Sequence, residues 1–455
     1  MRRLVVTLVV GPLVVGLVLA PSAGAGIRVV PPFDLERYAG RAAVGLLVPG
    51  AGPTVTREHA LAALLRGRVE HELLGGVPEG EPLIELGLSE GPEILVSLPP
   101  PGRTENDRRY PIAVLGERGL LTSSSTRIDG LVSITDVATG RLRSAPADDP
   151  VEALEQLDER IERNDALRLP LTLLLAAVVL ALAVVRPPLA VRAILVALVA
   201  NLWLEPALAL VAGVAAFALP LGLASTGVLL AYLVSMGIDA ETVALSPLGP
   251  SQSGRFYGIN NLLETLLLAP SFVGAAALGV AGPAVAALAL VTVGGNRFGA
   301  DGGGLVVLIA GYALLALRSR GLRATPRRIV LLAAAVAALA LVLVAFDAAT
   351  GGESHVTRAL GDGPGAFATD LGDRVELSVR RTAASAGALV VVLAGLGLLV
   401  VGAARAPRTP LVDAFLLSLA VSLVLNDTPS DVIGVGSVTA LALVRLDRRA
   451  APRAR

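Results

Sequence analysis

The chain has 455 residues, is 54% hydrophobic and 17% charged, and its 38 basic and 38 acidic side chains cancel. A mean hydropathy of +0.72 excludes an ordinary soluble protein, and a net charge of zero with no basic tract interleaved with aromatics gives no sign of a nucleic-acid partner. Cysteine is absent, which removes disulfides, thiol nucleophiles and thiolate-bound metals.

In chain order, Arg2 and Arg3 precede the apolar run 4–20, Pro21 breaks it, and Ala23 and Ala25 supply the small residues of an A-x-A site. This predicts a signal peptide over 1–25, with an uncleaved anchor helix as the alternative, and in either case an exported segment after it. Residues 26–167 mix strand-length apolar runs (VGLLVP, EILVSLPP, YPIAVLG, GLVSI) with Gly/Pro turns and helical stretches near 57–75 and 150–165. They predict a small extracytoplasmic α/β domain whose last, charged helix leads toward a bilayer.

Residues 168–455 predict a polytopic transmembrane domain. Apolar runs near 169–185, 189–204, 206–220, 221–237, 261–281, 283–294, 303–317, 329–346, 386–404, 411–425 and 431–445 give about eleven helices. The fold class is therefore a multi-pass α-helical membrane protein with a small N-terminal exported α/β domain. With that domain outside, the first helix runs inward. The arginine clusters at 186–192, 318–328, 405–410 and the C-terminal tail then fall on the cytoplasmic side, as the positive-inside rule requires. The bilayer is the first partner implied, and the plasma membrane of a bacterium is the expected location. All 38 basic residues are arginine, which with abundant Ala, Gly, Val and Leu reads as coding bias in a GC-rich genome.

The same topology gathers the polar turns on the outer face. One holds Arg255, Tyr257, Asn260, Asn261 and Glu264; a second holds Asn296, Arg297 and Asp301; a third holds Asp347, Glu353 and His355; the last holds Asn426, Asp427 and Asp431. Polar groups at the lip of a hydrocarbon segment are costly unless they meet water, protein or ligand. Arg255 and Arg297 have the fork that grips a phosphate or carboxylate, or else pair with Glu264 or Asp301 to lock the loops. The "GRFYG" and "NRFG" stretches echo each other at a separation of one helical hairpin. Asn260 and Glu264, four residues apart, are expected on one helix face. His355, Asp347 and Glu264 are the candidate acid–base residues. A divalent cation among Asp347, Asp427, Asp431 and His355 is compatible with the sequence and not required by it, helix capping and loop bonding being the alternative. No Walker, H-E-x-x-H, G-x-S-x-G or dinucleotide fingerprint is present.

Together "RFYGINN", "FGADGGG", D-x-x-T-G-G-E-S-H and "ND" resemble a family of uncharacterised polytopic envelope membrane proteins of GC-rich bacteria, over most of the chain. Its first motif, R-F-Y-G-I-x-N, maps onto Arg255 through Asn261. The resemblance implies an architecture rather than an activity. The exported region is faintly similar to alkaline-phosphatase-superfamily domains, "TSSSTRIDGLVSITDVATG" resembling a late segment that ends D-x-A-P-T. Here Asp136, Val137, Ala138 and Thr139 run on without the proline, and only His59 and His71 are at hand as imidazoles, so the resemblance implies a truncated domain without phosphatase activity.

Three function classes fit. An outer-face polar site could bind or process an anionic or lipid-linked envelope substrate. A transporter or flippase would move such a metabolite. A non-catalytic assembly or sensor protein would use the exported domain for binding. A carrier needs polar residues through the midplane, and most spans show none, which favours the outer-face site.

Overall fold

The computed structural model describes residues 26–67, 93–123, 125–202, 206–253, 255–322, 364–404 and 409–450, with 325, 327, 328, 331 and 334. The chain forms two compact units, one ending at Gln156 and the other running mainly from Leu157. The predicted division at 167 falls inside a single continuous helix, Pro150–Val185.

The first unit is α/β. Its strands are β1 (Ile27–Val29), β2 (Ala42–Val48), β3 (Thr54–Thr56), β4 (Ile94–Val96), β5 (Arg103–Glu105), β6 (Tyr110–Leu115), β7 (Gly119–Ser123), β8 (Leu131–Ser133) and β9 (Leu142–Ala145), with helices α1 (Glu36–Ala39), α2 (Arg57–Arg66) and α3 (Ile134–Thr139). The predicted runs VGLLVP, EILVSLPP, YPIAVLG and GLVSI are β2, β4, β6 and β8. The main sheet runs β1-β4-β6-β2-β7-β9, with β8 also on β2. β2 pairs antiparallel with β6 and parallel with β7 and β8. All seven residues of β2 are buried, which is why its sequence is continuously apolar and not alternating. Thr56 and Ser133 cap α2 and α3 through their hydroxyls, and left-handed Gly67 and Gly140 end them. Both helices pack their apolar faces, including Ala60, Ala63, Ile134 and Val137, into the sheet core.

The second unit is helical. After α4 (Pro150–Val185) come α5 (Pro187–Ala200), α6 (Pro206–Ala218), α7 (Leu221–Ile238), α8 (Glu241–Ala244), α9 (Asn261–Ala277), α10 (Gly282–Gly294), α11 (Gly302–Ser319), α12 (Pro364–Ala384), α13 (Ala386–Ala404), α14 (Pro410–Leu425) and α15 (Pro429–Ala450). Apart from α8 and α12, which fall where no helix is predicted, these match the predicted apolar runs closely; the run at 329–346 and the signal peptide lie outside the described residues. Prolines in the first turns of α5, α6, α10, α14 and α15 favour those helix starts, where the missing N–H costs nothing, while Pro170 and Pro270 sit inside α4 and α9.

The count of about eleven spans is not reached by length and apolarity. Among the described residues four helices meet that requirement: Pro150–Val185, Leu221–Ile238, Gly302–Ser319 and Pro429–Arg448. A fifth is the pair Val375–Ala384 and Ala386–Gly402, if its two arms, bent by 111°, make one span. The physical reason is the early stop of the rest. α5 and α6 have 14 and 13 residues. At 1.5 Å per residue each covers about 20 Å, against a hydrocarbon core of about 30 Å. Exposed leucines and valines along α4, α6 and α13, among them Leu174, Leu210, Val214, Val390 and Leu393, give these helices outward apolar faces, as lipid contact requires.

Candidate functional site

The loops on either side of the α9–α10 hairpin meet. Gly258 has φ +76 and sits against the carbonyl of Gly299, with no room for a Cβ. Ile259 N–H donates to that carbonyl at 2.8 Å. Arg255 Nη2 donates to the carbonyls of Gly299 and Ala300, both at 3.2 Å, and Nη1 lies 3.8 Å from Asp301 Oδ1. The two Arg-Phe stretches are thus neighbours in space, as a helical hairpin between them dictates. Arg255 ties the loops together, with Asp301 as its acidic partner.

Asp301 also starts α11, its Oδ1 accepting from Gly304 N–H at 3.0 Å. Asn260 caps α9 through its own Oδ1, at 2.8 Å from Leu263 N, and donates Nδ2 to the carbonyls of Leu248 and Gly249. It is therefore a cap outside the helix and does not share a helical face with Glu264. Tyr257 is half-buried in the same loop.

The turn between α14 and α15 joins this end of the bundle. Asn426 Nδ2 donates to Glu264 Oε2 at 2.6 Å and to Ser422 Oγ at 2.8 Å. Asn261 Nδ2 donates to Asp427 Oδ1 at 3.2 Å and to Thr428 Oγ1 at 2.7 Å. Arg381, near the end of α12, pairs with Asp427 Oδ2 at 2.7 Å, and Ser378 Oγ donates to the Asn426 carbonyl. Sequence-distant segments around 255–264, 299–301, 378–381 and 426–428 therefore form one polar network. Because both side chains of the Arg381–Asp427 pair are about three-quarters buried, Arg381→Ala and Asp427→Asn are expected to be non-additive. A double-mutant cycle read by thermal unfolding should give a coupling of about 1 kcal/mol.

A second set of side chains pins the segment 244–256. Asn201 Nδ2 donates to Tyr232 Oη and Ser246 Oγ, and its Oδ1 accepts from Leu248 N. Gln252 donates to the carbonyls of Ala244 and Phe256, and Arg160, Asn164 and Arg168, one face of α4, reach the carbonyls of Leu245, Pro247 and Gly249. The backbone of an irregular segment is satisfied here by side chains, which a loop at membrane depth or beside it needs. Tyr232 is wholly buried in this set, a packing role; Trp203 lies outside the described residues.

Comparison with protein-family models, with curated proteins and with solved structures finds no match to this chain.

Function is therefore read from geometry. The predicted residues Arg255, Asn260, Asn261, Glu264, Asp301, Asn426 and Asp427 come together. Arg297 is exposed, and its guanidinium has no partner among the described residues; Asn296, beside it, is half-buried. His355, Asp347 and Glu353 lie outside the described residues, so the acid–base set and the divalent site that includes them are not on view. Of that divalent set, Asp427 is committed to Arg381 and Asn261. Among the described residues no group of three or more His, Cys, Asp or Glu side chains is placed to hold a metal ion. A cleft of about 580 Å³ lined by Gly321, Leu322, Thr325, Arg327, Arg328 and Leu331 lies beyond the last turn of α11, whose first turn is at the network. In the first unit, Asp136 is buried and accepts from Ser123 Oγ at 2.7 Å and from Ser125 Oγ, so the TSSST stretch and DVAT form one hydrogen-bonded corner. Arg381 and Ser378 carried no sequence signal, since no helix is expected over their stretch of mixed charge. The one pointer was Asp427, which needs a cation once buried.

Proposed function

We propose that the chain is an integral cell-envelope protein of a bacterial plasma membrane whose outer-face polar site binds an anionic or lipid-linked envelope substrate. The carrying observation is the convergence of the 255–264, 296–301 and 426–428 segments at one end of the helices, with the exposed Arg297, unpartnered among the described residues, beside them. In this reading the N-terminal α/β unit is outside and the C-terminus cytoplasmic. The short apolar helices Pro187–Ala200, Ala207–Ala218, Asn261–Ala277, Gly279–Gly294 and Pro410–Leu425 act as partial or tilted spans, and raise the number of membrane segments toward eleven. Two ties support the sidedness. Arg318 pairs with Asp413 at 2.9 Å, and Thr409 bonds Asp447, both at the arginine-rich ends of α11, α14 and α15, opposite the polar network.

Arg297 is the residue that reaches ligand, because Arg255 is occupied by backbone carbonyls. Arg297→Ala is expected to leave membrane abundance and unfolding temperature unchanged while losing complementation of a deletion strain, in which lipid and glycan mass spectrometry shows an accumulating anionic precursor. Full complementation by Arg297→Ala, with no precursor accumulating in the deletion strain, would remove the substrate-site reading. A carrier of such a metabolite is the second reading. The buried carboxylate of Glu264, 1% exposed inside the helical unit, favours it, since buried acids in transport proteins mark ion pathways.

A further inference from the structure

Two carboxylates in the network each keep one oxygen without a hydrogen-bond partner, Glu264 Oε1 and Asp301 Oδ2. Glu264 is 1% and Asp301 4% exposed, so water does not supply the missing bonds freely. Asn426 joins the two acids, its Nδ2 on Glu264 Oε2 and its Oδ1 bordering Gly303 as Asp301 Oδ1 does, and Arg255 stands 3.8 Å from Asp301 as the cation on this side. Asp427 is matched by Arg381. The buried pair therefore has two acids for one base.

Asn426 lies between them. Its Nδ2 is held by Glu264 Oε2 and Ser422 Oγ, and this donor pairing fixes which way the amide points. Its Oδ1 is thereby turned toward Gly303. A Cβ on Gly303 would sit 3.3 Å from Asn426 Oδ1 and 3.5 Å from Asp301 Oδ1. A Cβ on Gly304 would sit 2.8 Å from Asp301 Oδ2. Asn426 Oδ1, from the α14–α15 turn, and Asp301 Oδ1, at the start of α11, thus both border Gly303, where no side chain stands between them. Acceptors repel unless a donor or a cation stands between them. Glu264 also meets the C-terminal end of α14, where Asn426 N–H closes the helix on Ser422 O. The partial negative charge of a helix C-terminus disfavours a carboxylate and favours a cation. In membrane transporters, helix C-terminal ends and unwound backbone carbonyls coordinate sodium.

We propose that Glu264, Asp301 and Asn426 bind one monovalent cation of the sodium type. Charge sets the valence: one positive charge balances two carboxylates and one guanidinium. This concerns the same end of the bundle as the substrate site but does not depend on it, because the test reads the stability of the purified protein and not envelope composition.

The full chain in detergent is heated in sodium chloride and in choline chloride at equal ionic strength. Sodium is expected to raise the unfolding temperature saturably, by about 3–5 °C. Glu264→Gln, which keeps the shape and removes the charge, should abolish that difference while unfolding cooperatively in choline. Asp301→Asn should do the same. Should either variant fail to fold, binding of radioactive sodium to the wild type, at about one ion per chain and not displaced by choline, decides the matter. Equal unfolding temperatures in sodium and choline for the wild type overturn the proposal. So does a sodium effect that survives in Glu264→Gln, or a rise in stability on acidification with no sodium effect, which would give the cluster a proton instead.

Discussion

Gly258→Ala is expected to destabilise the helical unit by about 3 kcal/mol and to separate the two loops of the polar network. The residue stands at φ +76, where an L side chain costs about 1 kcal/mol. Its added Cβ would also run into the Gly299 carbonyl. Relief requires the 255–260 segment to move away from 295–301. That movement breaks the Ile259–Gly299 hydrogen bond at 2.8 Å and draws Arg255 off its two carbonyls. Gly279→Ala is the control. It has positive φ as well, at +51, but nothing lies within 4 Å of its added Cβ, so only the conformational cost of about 1 kcal/mol applies. Thermal unfolding of the two variants in the same detergent checks the difference. Equal losses would mean that the loops do not pack as described.

Arg255→Ala should cost about 2–3 kcal/mol and lower membrane abundance. It removes two guanidinium–carbonyl bonds, and leaves the Gly299 and Ala300 carbonyls and the nearly buried Asp301 carboxylate short of their cation. Groups left unpaired in a buried place dominate such losses. The ion pair itself is long, at 3.8 Å, and Arg255 is one-third exposed, which keeps the figure below that of a fully buried pair. Arg255→Lys should recover little, since a single ammonium cannot serve two carbonyls and a carboxylate in the fork geometry. Asp301→Asn in the Arg255→Ala background should restore part of the stability by removing the orphaned charge, and a double-mutant cycle measures that recovery. The contrast with Arg297→Ala separates a guanidinium that holds the fold from one that faces outward.

Much of the architecture was legible in the residues. The apolar runs gave most helix positions to within a few residues, because a lipid-facing or core helix needs an uninterrupted apolar surface, and prolines mark where several of them start. Span number was less legible. Run length overstates helix length where Pro187 and Pro206 begin helices that end after about four turns. The division into an α/β unit and a helical unit followed from the change in composition. Its position did not, because α4 carries one helical hydrogen-bond ladder across the shift from charged to apolar residues.

For the site, the sequence by itself placed the turns at 255–264, 296–301 and 426–428 at the same end of the helices, as the structure does; the turn at 347–355 lies outside the described residues. Alternation of antiparallel helices and the placement of arginines require that much. It did not determine who meets whom. Arg255 had Glu264, Asp301 or an anion as partners of equal chemical merit, and only packing chose Asp301 and two backbone carbonyls. Asn426 could have been a simple helix end, yet its amide bridges to Glu264 across 162 residues of chain. Arg381 entered the network unannounced. Long-range pairing of this kind depends on distances of a few ångströms between side chains far apart in the chain, and on which competing partners burial removes. No local pattern encodes that, and the folded helices decide it.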